Sequence, residues 1–200
     1  KIVFVTQGMT FGGAERVISI LANIWCDMGH DVSMFITATN REPVYKLNEK
    51  INVEYFEDYN EKGVSHFKLI SAIRKFVNKE KADSVISFMN DVCAYTIVAL
   101  MGTGIPVIYS ERNDPNKTNQ GKVEKLCRKI VEFGAKHIVF QTNGARSCYS
   151  EKVQRKSSII LNPVDLNKIP VRKIEDINYC EMVSVARLEP QKNQELLIDA

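Results

Sequence analysis

Two short stretches hold the groups best suited to chemistry. The first is VTQGMTFGGAERVISILAN, Val5 to Asn23, where Gly8, Gly12 and Gly13 separate an apolar run from an amphipathic one. Gly12 and Gly13 stand just before Ala14-Glu15-Arg16, the expected first turn of a helix. Unpaired N–H groups and the positive end of a helix dipole favour an anion at such a place. The second stretch is Glu111-Arg112-Asn113-Asp114. Two carboxylates, a guanidinium and an amide at one strand end suit sugar hydroxyls or a phosphate. Asn113, Asp114 and Pro115 suit a plain turn as well. Asn90 follows another strand on the same edge, as a ligand contact or as the N-cap of the next helix.

Familiar phosphate loops narrow the first stretch. Gly8 and Gly13 have the outer spacing of GxxxxGK[ST], but Ala14 and Glu15 stand where lysine and serine or threonine belong, which disfavours a nucleoside-triphosphate hydrolase. The intervals fail the dinucleotide fingerprint GxGxxG too. What is left is an anion-binding bend, or simply a tight strand-to-helix turn.

The elements that must position these residues alternate along the chain. KIVFVT reads as a strand buried on both faces, and Val17, Ile20, Leu21, Ile24 and Met28 recur at helical spacing up to Gly29, a helix-ending glycine. DVSMFIT, INVEYF, SVISF, PVIYS, HIVFQT and SSIIL are further strands. Between them VSHFKLISAIRKFVNKEK, DVCAYTIVALMG, GKVEKLCRKIVEFG and a short NGARSCYSEK read as helices. The pattern predicts an α/β fold, a doubly wound, mostly parallel Rossmann-like sheet with helices on both faces. From Asn162 two prolines and mixed charge mark a connector, after which YCEMVSVAR starts a strand and QKNQELLIDA a helix. We expect a first domain over 1–165, a linker over 166–177, and the first strand and partial helix of a second domain over 178–200.

The bulk figures fit that picture. With 200 residues, 44% hydrophobic and 26% charged, the chain has the composition of a globular protein. A net charge of +3 is too mild to imply nucleic acid, and no apolar run approaches a bilayer span. Cys26, Cys93, Cys127, Cys148 and Cys180 are odd in number and scattered, which predicts reduced thiols in a cytoplasmic protein and no metal.

Four motifs in order, FGGAERVISILANIWCDMGHDVSMFIT, IPVIYSERNDP, ILNPVD and SVARLEPQKNQELLIDA, resemble glycosyltransferase family 4, retaining enzymes of the two-domain GT-B fold. The SERNDP form looks most like bacterial members that build lipid-linked or surface polysaccharides. The resemblance implies a nucleotide-sugar donor, a glycan or lipid-linked acceptor and no metal or other cofactor. It also implies that the acceptor side is the domain present here, and that the family's acidic donor motif lies past Ala200. Gly12 and Gly13 would then lie near the donor diphosphate, and Arg187 and Lys192 match the family's basic pair that neutralises it. Preorganised cations and N–H donors stabilise the charge that gathers as the diphosphate leaves.

One departure concerns a histidine that many members place after the fifth strand. Aligning IPVIYSERND puts Arg112 at or beside it, so Glu111, Arg112 and Asn113 become the catalytic candidates, with Asn90 and Asp114 on the acceptor side. His30, His66 and His137 fit no such role. Lys62, Lys68, Arg74, Lys75, Lys79 and Lys81 gather around one helix, and Lys117, Lys122, Lys125, Arg128 and Lys129 on another. Such helices are either solvated faces or peripheral contacts with the anionic inner face of a membrane. Alternatives from other classes are a UDP-sugar epimerase of the same architecture and a non-catalytic phosphate-binding module.

Overall fold

The computed structural model describes residues 1–38, 43–56, 59–60, 63–115, 121–164, 183–186 and 193–198. Its strands are β1 (Ile2–Thr6), β2 (Val32–Ile36), β3 (Asn52–Tyr55), β4 (Tyr59–Asn60), β5 (Gly63–Val64), β6 (Ser84–Phe88), β7 (Val107–Ser110), β8 (His137–Phe140) and β9 (Ser157–Ile159). The helices are α1 (Gly13–Asp27), α2 (His66–Glu80), α3 (Asn90–Leu100), α4 (Lys122–Gly134), α5 (Asn143–Ser147), α6 (Glu151–Arg155) and α7 (Gln194–Ile198). Seven strands form one sheet in the order β3-β2-β1-β6-β7-β8-β9, every pair parallel, and β4 and β5 make a separate antiparallel pair.

Strand periodicity divides the core between the two faces. Phe4, Met34, Ile36 and Phe88 pack with Val17, Ile18 and Ala22 of α1, while Val3, Val5, Phe35 and Val85 meet Leu69, Ile73 and Phe76 of α2 and Val92 of α3. Side chains that alternate in direction along each strand need helices on both sides, hence the doubly wound form. The Phe4 ring stacks on Trp25 at 5.6 Å, and a fully buried phenylalanine contributes roughly 1.5–3 kcal/mol.

The strand order reverses between β1 and β6. In parallel sheets that reversal opens a crevice beyond the carboxyl ends of the strands. The glycine loop leaves β1 there, and Met89-Asn90 leaves β6 beside it. A polar clamp secures the far edge: Glu80, at the end of α2, accepts hydrogen bonds from Ser33 of β2 and Asn52 of β3, and pairs with the Lys1 ammonium at 2.6 Å.

Gly29 ends α1 at φ +87°, as its place in the sequence predicts. The NGARSCYSEK segment is a correction, for it forms two helices, α5 and α6. Tyr149 turns into the core between them, and the Ser150 carbonyl starts the second by accepting from the Val153 and Gln154 amides.

Lys1–Pro163 is one compact unit and Val164–Ala200 another. The expected linker over 166–177 lies outside the described residues. Of the YCEMVSVAR strand only Val183–Ala186 are described, and they are not in a strand, with Val183 and Val185 exposed. A strand is defined by its ladder bonds, and the described residues of this unit offer no neighbouring strand. Gln194–Ile198 does form the expected helix.

Candidate functional site

The loop after β7 forms one wall of a pocket of about 470 Å³, lined by Glu111 to Pro115 together with Gln141, Thr142, Gly144, Ala145 and Cys148. Glu111 stands at its base, 2% exposed. Its Oε1 accepts the backbone N–H groups of Arg112 and Asn113, both at 3.0 Å, and its Oε2 accepts the Tyr149 hydroxyl at 2.7 Å. Both oxygens accept donors of the pocket wall, an arrangement that gives Glu111 a positioning role there. Burial pushes the Tyr149 phenol well up, and the neighbouring Glu111 adds to the shift. Tyr149 therefore stays protonated and keeps donating. The Arg128 guanidinium covers the Tyr149 ring at 4.1 Å and donates to the Cys148 carbonyl.

Arg112 reaches across the edge of the sheet. Its guanidinium lies 5.0 Å from the centre of the Phe88 ring, at the end of β6, and donates to Asn162 Oδ1. Asn162 in turn donates to Gln141 Oε1 at 3.1 Å. Buried Nε of Arg112 has no hydrogen-bond partner among the described residues, and desolvation lowers the guanidinium pKa. A half-buried guanidinium held in a pocket wall suits an oxyanion. Asn113 and Asp114 are exposed on the rim.

Asn90 departs from the N-cap expectation. It is the first residue of α3 and not its N-cap, is 9% exposed, and donates to the Glu124 carbonyl at 3.1 Å, joining the starts of α3 and α4. The N-cap is Met89, whose backbone takes φ 68° and ψ 134°. A side chain in that conformation is strained by about 1–3 kcal/mol, and strain of this kind gathers at functional sites. Nothing in a methionine announces such a backbone in the sequence.

The glycine loop lies on the same carboxyl edge as Arg112, one strand removed, with β6 between β1 and β7. It does not line the pocket. None of its glycines has a positive φ, and a β-carbon at Gly8 or Gly13 would meet nothing within 4 Å. At Gly12, the N-cap of α1, the Glu15 carboxylate fills the space a β-carbon would need. α4 goes a step further, for Glu124 fills the same space at Gly121 and also accepts the Gly121 N–H. Gly-x-x-Glu at a helix start is the signal that could have shown this, the glutamate half of a capping box. Buried Met9 of the loop and Phe88 under Arg112 belong to one apolar cluster, which links loop and pocket wall.

Arg187 and Lys192 lie outside the described residues. Gln141 and Thr142, which the sequence reading missed, are placed by the end of β8 and by the Thr142 hydroxyl, which caps α5 by accepting the Ala145 N–H at 3.1 Å. His66 stacks on Tyr95, His137 bonds Ser158 across β8 and β9, and neither they nor His30 line the pocket. The four described cysteines are free thiols. Among the described residues no helix is long and apolar enough to cross a membrane.

Known proteins resemble this chain in sequence or in fold. A Campylobacter jejuni protein named GalNAc-alpha-(1->4)-GalNAc-alpha-(1->3)-diNAcBac-PP-undecaprenol alpha-1,4-N-acetyl-D-galactosaminyltransferase is 29% identical over 82% of this chain and 46% of its own length. The lipopolysaccharide outer core galactosyltransferase WaaB shares the fold with a TM-score of 0.66 at 17% identity, over 84% of this chain and 47% of its own. A UDP-N-acetylglucosamine 2-epimerase from Rickettsia bellii does so with a TM-score of 0.54 at 16% identity, over 78% and 43%. The chain spans about half the length of the curated relatives it matches. The family model for Glycosyltransferase Family 4 matches residues 11–168, most of the chain and all of the pocket wall, and the chain belongs to that family.

Proposed function

We propose that this chain forms the acceptor-side part of a retaining glycosyltransferase that moves a sugar from a nucleotide-sugar donor to a glycan or lipid-linked saccharide in bacterial surface polysaccharide synthesis. The observation that carries the reading is Arg112, a half-buried cation with an unpaired Nε, set in a pocket wall at the carboxyl edge of the sheet. The relative from C. jejuni, named for α-transfer onto an undecaprenol-linked saccharide, supports the acceptor class.

In this reading Arg112 and Asn113 contact the reacting sugar or the acceptor's phosphate, Glu111 holds both in place, and Asp114 meets acceptor hydroxyls. Asn90 stays a joint between helices and serves the acceptor side only by fixing the turn. Gly12 and Gly13 face the donor diphosphate, which must displace the Glu15 carboxylate, and Arg187 and Lys192 neutralise the diphosphate as it leaves. With those cations in place the transfer proceeds without a metal or other cofactor. The protein works on the cytoplasmic side of an anionic membrane, where lipid-linked acceptors lie, and takes no nucleic-acid partner.

The test uses the full-length protein, a panel of nucleotide sugars and a membrane lipid extract. Transfer with the donor's anomeric configuration kept in the product, read by NMR, supports the reading; inversion contradicts the retaining assignment. The second reading, an epimerase, has the fold similarity to the R. bellii enzyme in its favour. It predicts conversion of UDP-N-acetylglucosamine with no acceptor present.

A further inference from the structure

α4 carries an apolar strip that is largely exposed to solvent. Val123, Leu126, Ile130 and Phe133 stand at i, i+3, i+7 and i+10, one line along a helix. Val123, Leu126 and Phe133 are 68%, 59% and 85% exposed, and Ile130 is half-buried. The side of α4 that faces the core is built on Cys127 and Val131, with Ile130 packed at its margin.

The charges on α4 are sorted with respect to that strip. Lys122, Lys125 and Lys129 form a parallel line one residue behind it, all exposed, and none makes an ion pair among the described residues. Both acids are engaged elsewhere: Glu124 caps Gly121, and Glu132 pairs with Arg128 at 2.8 Å. Beyond the helix end Lys152 lies 5.9 Å from the Phe133 ring. An exposed apolar line with free lysines beside it matches the two components of an anionic bilayer surface, acyl chains and phosphate headgroups.

The other basic helix lacks this arrangement. On α2 the Arg74 guanidinium is bound to the Ala99 and Met101 carbonyls at the end of α3, and Lys79 is paired with Glu54. Phe67 is its one strongly exposed apolar side chain among the described residues.

We infer that α4 is the membrane-docking element of this protein, lying in the interface of an anionic bilayer with Val123, Leu126 and Phe133 in the acyl region and Lys122, Lys125 and Lys129 at the phosphates. This deepens the membrane part of the proposed function and rests on it for its purpose. α4 starts at the carboxyl edge, just past the pocket wall, and its thirteen residues run for about 20 Å toward the opposite edge. Laid flat on a membrane it holds the pocket beside the headgroups, where the diphosphate of a lipid-linked saccharide lies.

The test is flotation of the full-length protein with phosphatidylglycerol-containing vesicles against pure phosphatidylcholine vesicles. The wild type binds the anionic vesicles. Leu126→Ser with Phe133→Ser, and separately Lys122→Glu with Lys125→Glu and Lys129→Glu, each lower binding at least tenfold, whereas Lys68→Glu with Lys75→Glu on α2 leaves it unchanged. Equal binding by wild type and both α4 variants overturns the proposal. So does a dimeric wild type that the Leu126→Ser/Phe133→Ser variant turns monomeric without loss of vesicle binding, for the strip is then a self-association face. Transfer to a water-soluble acceptor, measured on the same variants, stays at the wild-type rate, so loss of docking and failure of the transferase reading give different results.

Discussion

The Tyr149 hydroxyl donates to Glu111 Oε2 at 2.7 Å, across thirty-eight residues of chain, and through Glu111 it sets the two amides that shape the pocket wall. Replacing Tyr149 by Phe leaves a buried carboxylate oxygen without its donor. We expect a loss of about 1.5–3 kcal/mol in urea unfolding, the scale of a hydrogen bond to a charged group. The acceptor KM rises as residues 111–113 loosen. An unchanged unfolding midpoint in Tyr149→Phe would show that Glu111 draws its order from elsewhere.

Met89 offers a cleaner comparison between two truncations. Met89→Ala and Met89→Gly both remove the packing side chain, but only glycine tolerates φ 68° freely. The glycine variant is therefore more stable than the alanine variant, by about 1 kcal/mol. Equal stabilities would mean that the turn relaxes in solution.

In the function proposed above, Glu15 competes with the donor for the start of α1. Glu15→Gln keeps the size of the side chain and removes its charge, so the donor KM falls about two- to fivefold, equivalent to 0.3–1 kcal/mol at a helix terminus. Isothermal titration of the full-length protein with a nucleotide sugar reads the same shift, and weaker binding in this variant would place the diphosphate elsewhere.

Glu80 makes stability depend on pH. Burial pushes its carboxyl upward, but the bonds from Lys1, Ser33 and Asn52 outweigh burial and hold it below its ordinary value. A folded pKa below the unfolded one gives a contribution fully present above about pH 4.3, the unfolded value, and lost as pH falls through the folded value. Glu80→Gln is less stable than wild type at neutral pH, and the gap narrows in acid. Urea unfolding between neutral pH and the acid limb checks this, and a constant gap would contradict it.

Most of the architecture was legible because strands buried on both faces and amphipathic helices carry distinct periods, which is why all seven sheet strands stand where apolar runs predict. The break at Tyr149 was not, since it answers to Glu111, a partner far along the chain. The site was half legible. SERNDP marks the edge that Arg112 occupies, yet Gln141, Thr142 and Asn162 reach it only through the order of β7, β8 and β9. Glycine spacing does not by itself show that Gly12 makes room for a carboxylate and takes an extended conformation open to any residue.

Turnover of Arg112→Ala and Arg112→Lys by the full-length protein tests the central claim most directly, using the donor and acceptor that the panel identifies. A planar, stacked guanidinium cannot be replaced by an ammonium, so both variants lose about a hundredfold in kcat/KM, the scale of one preorganised donor at a developing charge, while unfolding like wild type or nearly so. Wild-type turnover in both would contradict a reaction centred on the carboxyl edge at β7.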